Sequence, residues 1–436
     1  MHVTARSPTR PPGIPTFQEV RRVVAARDVR SLYQPIVDLQ SGTTLGYEAL
    51  ARGPRGSALE RPDRLFAAAV EAGCLQELDW TCRLAAVRGA QAADLSPQLS
   101  LFVNAEPLAL DSPCPPDLQA DWQAAARRGQ RLIIEVTERA LTARPAEMLE
   151  VLGRMRAGGW GIAIDDVGAD PRSLALMPLL APDVIKLDLR LVQERPTADV
   201  AAIYSAVGAE AERTGAHILA EGIETPAHLA MARSLGASLG QGYLFGRPGE
   251  LSAHHSVPAR PIELIRAAPP AAASTPFAQV ASRRDARPGT KALLLAITRQ
   301  LEEAAAGLGR EAMLLSTFQE ARHFTPATVE RYTELAGRLA FVSALGADIA
   351  LEPAPGVRGA ALAYDDPVRG EWDVIVVGPH FAAALVARDL GETGPEPERR
   401  FDFAVTYERS LVLESALTVM ARVAPAVSVA DQARVA

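Results

Sequence analysis

Short apolar runs, each closed by a polar residue, recur along the first 250 positions, and no other feature limits the fold as much. They are Ser31–Leu39, Thr43–Ala51, Leu99–Val103, Arg131–Val136, Gly161–Ile164, Val184–Leu187, His217–Ala220 and Leu239–Phe245. Runs this short read as buried strands, and the alanine-, leucine- and arginine-rich stretches between them have helical period. Strands that return about every 25 to 35 residues with helices between them are parallel β/α units, and eight of them in about 220 residues suit a closed barrel better than an open sheet. The first two runs are separated by Gln40-Ser41-Gly42 alone. A parallel crossover needs far more chain than that, so this pair is a hairpin and the barrel is a variant that begins antiparallel. Thr16 and Glu19 form a capping box for a helix that runs to about Ala26 ahead of it.

The residues that close the runs are Glu48, Asn104, Glu135, the pair Asp165-Asp166, Lys186 and Glu221, and Gln241 begins the last strand region. All strand C-termini of a β/α barrel open at one face, so these scattered positions converge on one mouth. The carboxylates gathered there repel one another unless a cation is present, and their hard oxygen atoms, with those of the amides, suit Mg²⁺ or Mn²⁺. Adjacent Asp165 and Asp166 suit two cations about 3.5 to 4 Å apart, the arrangement that activates water and stabilises a phosphoryl transition state. Lys186 at the same mouth orients that water or neutralises developing charge, which makes phosphoester hydrolysis the natural chemistry. One acid after an apolar strand is usually a helix cap or an ion-pair partner, so the constellation carries this reading and no single member does. Asp188, two residues beyond Lys186, reads as structural.

A chain of 436 residues is long for one compact unit and suggests two domains. A formal net charge of -7 provides no global basic field, which argues against a nucleic-acid polymer as partner. The opening Met1–Pro15 lacks the apolar core of a secretory signal and no segment is apolar for long enough to span a bilayer, so a cytoplasmic protein with no membrane partner is expected. Cys74, Cys82 and Cys114 form no CxxC pair and read as packing residues. The expected division is a tail over 1–15, the barrel over 16–252, a Pro- and Ala-rich linker over 253–290, a small α/β domain over 291–424 and a tail over 425–436. In the small domain Lys291–Leu308 reads as an amphipathic helix, Gly359–Tyr364, Trp372–Val377 and Arg400–Thr406 as strands, and Ser410–Val423 as a last helix.

Several longer segments carry a family resemblance. They are Tyr33-Gln34-Pro35-Ile36-Val37-Asp38, Glu48-Ala49-Leu50 followed by Arg52, Asn104-Ala105-Glu106-Pro107 and Glu135-Val136-Thr137-Glu138, then Asp165-Asp166-Val167-Gly168, Ile185-Lys186-Leu187-Asp188, Ala220-Glu221-Gly222-Ile223-Glu224-Thr225 and Gln241-Gly242-Tyr243-Leu244-Phe245-Gly246-Arg247-Pro248. In this order, from about Tyr33 to Pro248, they resemble the EAL family of cyclic di-GMP phosphodiesterases. The resemblance implies a TIM-like barrel with two cations, Mg²⁺ or Mn²⁺, which hydrolyses cyclic di-GMP to linear pGpG. It implies Glu48, Asn104, Glu135 and Asp165 as ligands of one cation, Asp165 and Asp166 at the other, and Lys186, Glu48, Glu221 and Asp166 as the catalytic set. It further implies Gln34, Arg52 and Gln241 as substrate-binding residues, Glu138 as the anchor of the loop after Asp166, and a homodimer.

The chain departs from the family after Gly168, where the usual Thr-Gly-Tyr-Ser-Ser is replaced by Ala169-Asp170-Pro171-Arg172-Ser173. Pro171 fixes one φ angle and removes a donor, so a stiffer loop is expected there. Two readings therefore stand: an active phosphodiesterase, or a receptor that binds cyclic di-GMP without turnover and signals through a protein partner. The segment Lys291–Ala424, through Trp372–Pro379 and Arg400–Phe403, resembles the DICT sensory domain and implies an unidentified signal or partner there. Gly378-Pro379-His380 lacks the spaced glycines of a dinucleotide fingerprint, and His323 and His380 read as surface or packing residues.

Overall fold

The computed structural model describes residues 17–425 except 107–108, 110–111, 128, 138–141, 143, 171, 253–255, 266–274 and 392–394. The expected N-terminal tail and residues 426–436 of the C-terminal one lie outside them.

Eight strands, β1 (Arg30–Asp38), β2 (Thr44–Arg52), β3 (Ser100–Asn104), β4 (Arg131–Val136), β5 (Gly161–Val167), β6 (Val184–Leu187), β7 (His217–Ala220) and β8 (Leu239–Gln241), close into a barrel in chain order. β1 and β2 pair antiparallel, from Arg30 opposite Arg52 to Val37 opposite Thr44, as the five-residue connection Leu39–Thr43 requires. The turn places Gly42 at φ 73°, a conformation that glycine adopts without steric cost. The remaining strands are parallel where their pairing is described. Leu101, Phe102, Ile133, Ile134, Ile162, Ile164, Val184 and Ile185 are buried, so both faces of these strands are covered, the physical reason for near-continuous apolar runs. β8 is shorter than the run Leu239–Phe245 predicts. The Phe245 and Gly246 N–H groups both return to Gly242 O, at 3.1 and 3.2 Å, and this turn ends the strand.

A second sheet holds seven strands: β9 (Arg287–Thr290), β10 (Met313–Glu320), β11 (Phe341–Ala347), β12 (Arg358–Ala361), β13 (Glu371–Val377), β14 (Ala382–Asp389) and β15 (Arg400–Thr406). Its order is β12-β11-β10-β13-β14-β15-β9, parallel across β10, β11 and β12 and antiparallel elsewhere. Leu294 and Leu301 of the helix Lys291–Leu308 and Tyr332 and Leu335 of the helix Pro326–Arg338 pack on one face against Leu314, Val342, Val374, Leu385 and Phe401. Glu371 and Asp373 alternate to the other face, where the Phe277 amide donates to Glu371 Oε2 at 2.9 Å. The linker expectation is corrected at its C-terminal end. Pro276–Ala281 is a helix and β9 pairs with β15, so ordered structure begins inside 253–290. β14 was not legible as a strand because its Ala382-Ala383-Ala384 stretch has weak strand preference, and only the ladders on both sides define it.

Packing divides the described residues between two compact units, one within Met1–Glu135 and Gln241–Ile262, the other within Val136–Gly240 and Glu263–Ala436. In the first unit Asp79 and Arg83 form an ion pair on the helix Leu75–Ala92, with side chains only 2% and 1% exposed. Asp79 Oδ1 also accepts the Glu106 N–H at 2.8 Å, and the Arg83 guanidinium lies 4.8 Å from the Trp80 ring centroid. Asp79→Ala leaves a buried guanidinium without its counter-charge and is expected to cost about 3–5 kcal/mol in urea unfolding, with Asp79→Asn recovering part of the loss. In the second unit burial lifts the Glu371 carboxyl to about 7. A folded-state pKa above the unfolded value means that the native state holds the extra proton, so this contribution is present at low pH and is lost as pH rises from about 4.5 towards 7. Thermal midpoints across that window are expected to fall with rising pH, and Glu371→Gln to flatten the slope.

Candidate functional site

In the first unit β3 and β4 carry Asn104 and Glu135, in register with each other, at or next to their C-terminal ends, whereas Glu48 does not close its strand: it lies midway along β2, beside Phe102, and β2 runs on to Arg52. Glu48 and Glu135 are buried, at 6% and 2% exposure. A buried carboxylate is costly unless donors meet it, and Glu48 has two. Asn104 Nδ2 donates to Glu48 Oε1 at 2.9 Å, and Gln241 Nε2 donates to Glu48 Oε2 at 2.6 Å. Gln241 Nε2 also reaches Gln34 Oε1 at 3.2 Å, and Gln34 Nε2 donates to Gly246 O at 3.1 Å. With its amide nitrogen turned to Glu48, Asn104 has its carbonyl Oδ1 to offer a cation. Arg52, at the end of β2, donates from Nη1 to Ala51 O at 2.8 Å, and burial followed by the charge of Arg30 lowers its pKa. The structure thus brings Gln34, Glu48, Asn104 and Gln241 into one hydrogen-bonded chain.

In the second unit Lys186 is fully buried on β6, and its Nζ lies 2.9 Å from Asp165 Oδ1 and 2.9 Å from Glu221 Oε1. Asp165 and Asp166 are consecutive residues of a strand, and regular alternation sends such neighbours to opposite faces. Two observations explain why they nonetheless act together. The β5–β6 register shifts between Ile164 and Val167, and Asp166 sits at φ 57° in the left-handed region, which aspartate tolerates better than most residues. As a result Asp165, Asp166 and Glu221 each bring a carboxylate oxygen within 4.8 Å of the others. Three carboxylates around one ammonium leave a local charge of minus two, held by hard oxygen atoms, so the donor set fits a divalent cation.

Glu138 and Pro171 lie outside the described residues. Around Pro171, Asp170 Oδ1 accepts the Arg172 N–H at 3.0 Å and Asp170 O accepts the Ser173 hydroxyl at 2.8 Å, so Asp170 anchors the start of the helix Arg172–Leu180. Asp188 caps the helix Leu189–Gln193 by accepting the Arg190 N–H at 2.8 Å, the structural role read for it from sequence. Sequence reasoning passed over Asp79, which holds the backbone immediately after Asn104 through the Glu106 amide. The signal was present: an acid and an arginine four residues apart on a helix whose other inward positions, Thr81 apart, are apolar.

Residues 18–248 match the family model described as EAL domain, and residues 278–390 match the one described as sensory domain in diguanylate cyclases and two-component system. Among curated proteins, the cyclic di-GMP phosphodiesterase RocR of Pseudomonas aeruginosa is 32% identical over 241 residues, covering 54% of this chain and 61% of RocR. The cyclic di-GMP phosphodiesterase NbdA of the same organism is 31% identical over 242 residues, covering 54% of this chain and 31% of NbdA. The chain therefore spans less than two thirds of the length of either relative. Among solved structures, the manganese and cyclic di-GMP complex of Klebsiella pneumoniae BlrP1 is 31% identical over 51% of this chain and 56% of its own, with a TM-score of 0.45. No helix among the described residues is long and apolar enough to cross a membrane.

The backbone at Asp166 separates its two roles. Asp166→Asn tolerates the left-handed conformation and removes only charge, so its thermal midpoint is expected to stay near that of the parent while Mn²⁺ affinity in calorimetry falls about ten-fold or more. Asp166→Val strains the same φ angle and is expected to lose about 1–3 kcal/mol of stability in addition.

Proposed function

The chain belongs to the EAL domain family, and from that premise we propose that its barrel hydrolyses cyclic di-GMP to linear pGpG. The observation that carries the reading is the buried Lys186 ammonium held by Asp165 and Glu221 beside Asp166. In this reading Glu48, Asn104, Glu135 and Asp165 hold one divalent cation, Mg²⁺ or Mn²⁺, and Asp165 and Asp166 hold a second. Bound cations supply Lewis-acid stabilisation of the phosphoryl charge and acidify water.

The protein's own groups do the rest. Glu221 and Asp165 fix the Lys186 ammonium so that its N–H bonds point at the attacking water and at charge developing on the phosphate. Asn104 and Gln241 fix the Glu48 carboxylate from both sides, so that its rotamer is set before any ligand arrives. Arg52 offers a guanidinium to a substrate phosphate, and Gln34 and Gln241 complete the substrate contacts. The C-terminal sheet domain regulates the barrel, and the functional unit is a homodimer.

The replaced segment Ala169–Ser173 supports a second reading, a receptor that binds cyclic di-GMP without hydrolysis, because Asp170 ties that loop to the following helix. Purified chain incubated with cyclic di-GMP and Mg²⁺ or Mn²⁺ is expected to give pGpG by chromatography and none with chelator. Lys186→Met is expected to slow turnover by about 10²–10⁴-fold. Tight binding of cyclic di-GMP with no product in any metal would establish the receptor instead.

A further inference from the structure

The C-terminal sheet domain holds a cavity of about 480 Å³, in the range of small-molecule sites, whose lining joins aromatic rings to polar and charged side chains, Arg299, Arg322 and Arg331 among them. Phe318, Tyr332, Trp372 and Phe401 supply aromatic walls. Phe318 and Tyr332 meet edge to face at 5.5 Å between centroids, and Trp372 and Phe401 do so at 5.7 Å. These pairs fix one another: Tyr332 and Phe401 are fully buried, and the half-buried Phe318 and Trp372 keep surface for a further ring.

Among these walls stand two buried oxygen acceptors, both from the helix Lys291–Leu308. Its inward stripe runs Leu294, Thr298, Leu301, Glu302, Ala305, so a hydroxyl and a carboxylate occupy positions that packing alone would fill with apolar residues. Thr298 is 6% exposed and Glu302 is 2% exposed. Thr298 Oγ1 has no hydrogen-bond partner among the described residues. Glu302 gives Oε2 to the Arg331 Nε–H at 2.6 Å, whereas its Oε1 makes no well-aligned hydrogen bond among them: the neighbouring Tyr332 hydroxyl donates to Ser316 Oγ at 2.8 Å and is close enough to Glu302 to lower its pKa. Burial raises the Glu302 pKa against the Arg331 charge and the Arg331 and Tyr332 hydrogen bonds, which lower it. A buried acceptor left without a donor is costly, and two of them in one cavity call for a donor from outside the chain.

We propose that this cavity binds a small flat heteroaromatic molecule, its ring held by Phe318, Tyr332, Trp372 and Phe401 and its N–H donated to the Glu302 and Thr298 oxygens. The inference stands on the sheet alone and does not depend on the barrel's activity.

Indole and 1-methylindole, which share a ring and differ in the donor, test it on the full chain by calorimetry. Indole is expected to bind, and 1-methylindole at least ten-fold more weakly, because methylation leaves a buried acceptor unmet. Thr298→Val and Glu302→Gln keep side-chain shape, and each is expected to weaken indole five-fold or more while narrowing the gap between the probes. Equal binding of the two probes, no indole binding at its solubility limit, or indole binding unchanged in both variants would overturn the proposal. If a variant fails to fold by circular dichroism, the two probes on the unmodified chain decide.

Discussion

The fully buried ammonium of Lys186 is the interaction on which the candidate site depends. A lone ammonium is expensive to take out of water, and this one is tolerable because Asp165 and Glu221 flank it at 2.9 Å on either side. The dependence is mutual. Asp165, Asp166 and Glu221 crowd within 4.8 Å of one another, and without the lysine they would carry three uncompensated negative charges. The strand ends of β5, β6 and β7 are thereby set as a rigid group with two charges still to be balanced, the electrostatic condition for holding a divalent cation.

Backbone geometry makes that group possible. The shift of register between Ile164 and Val167 and the left-handed turn at Asp166 interrupt strand alternation where two consecutive acids have to serve one site. Conformational strain of this kind persists only when its surroundings fix it. Here Gly168 follows at φ 99°, so close to Leu191 that a Cβ would stand 2.7 Å from Leu191 Cδ1, and Asp170 then starts the next helix. In the first unit polar order comes from amides instead: Asn104 and Gln241 orient Glu48, and Asp79 holds the chain just beyond Asn104.

The seven-stranded sheet divides its polar groups by face. β13 sends Glu371 and Asp373 to the side of the helix Pro276–Ala281, where burial raises both pKa values, and sends Trp372 and Val374 to the aromatic cavity. Strand alternation alone produces this separation. The segment that matches the sensory-domain family model thus carries, on one strand, two buried carboxyls on one face and a hydrophobic wall on the other.

The barrel was legible in the sequence because its constraint is one-dimensional. Strands buried on both faces must be apolar along their length, so Leu101-Phe102-Val103 and Leu132-Ile133-Ile134 announce themselves, and the short connection between β1 and β2 allows nothing but an antiparallel pair. The residue types at the strand ends were legible for the same reason, since a charge after an apolar run has few places to go. Other features depend on partners far away in the chain. The alanine-rich β14 is a strand only because β13 and β15 pair with it, β9 belongs to the sheet only through β15, and Glu302 in a helical stripe shows its unmet oxygen only once Arg331 and Tyr332 are in place around it. Sequence by itself determined the periodicity and the polar residues that stand against the apolar runs, because burial on both faces dictates residue type locally. Only the tertiary structure decided that Asp165 and Asp166 face one site and that a cavity with unmet acceptors lies in the C-terminal sheet, because a backbone bulge and a long-range hydrogen-bond balance leave no local pattern to read.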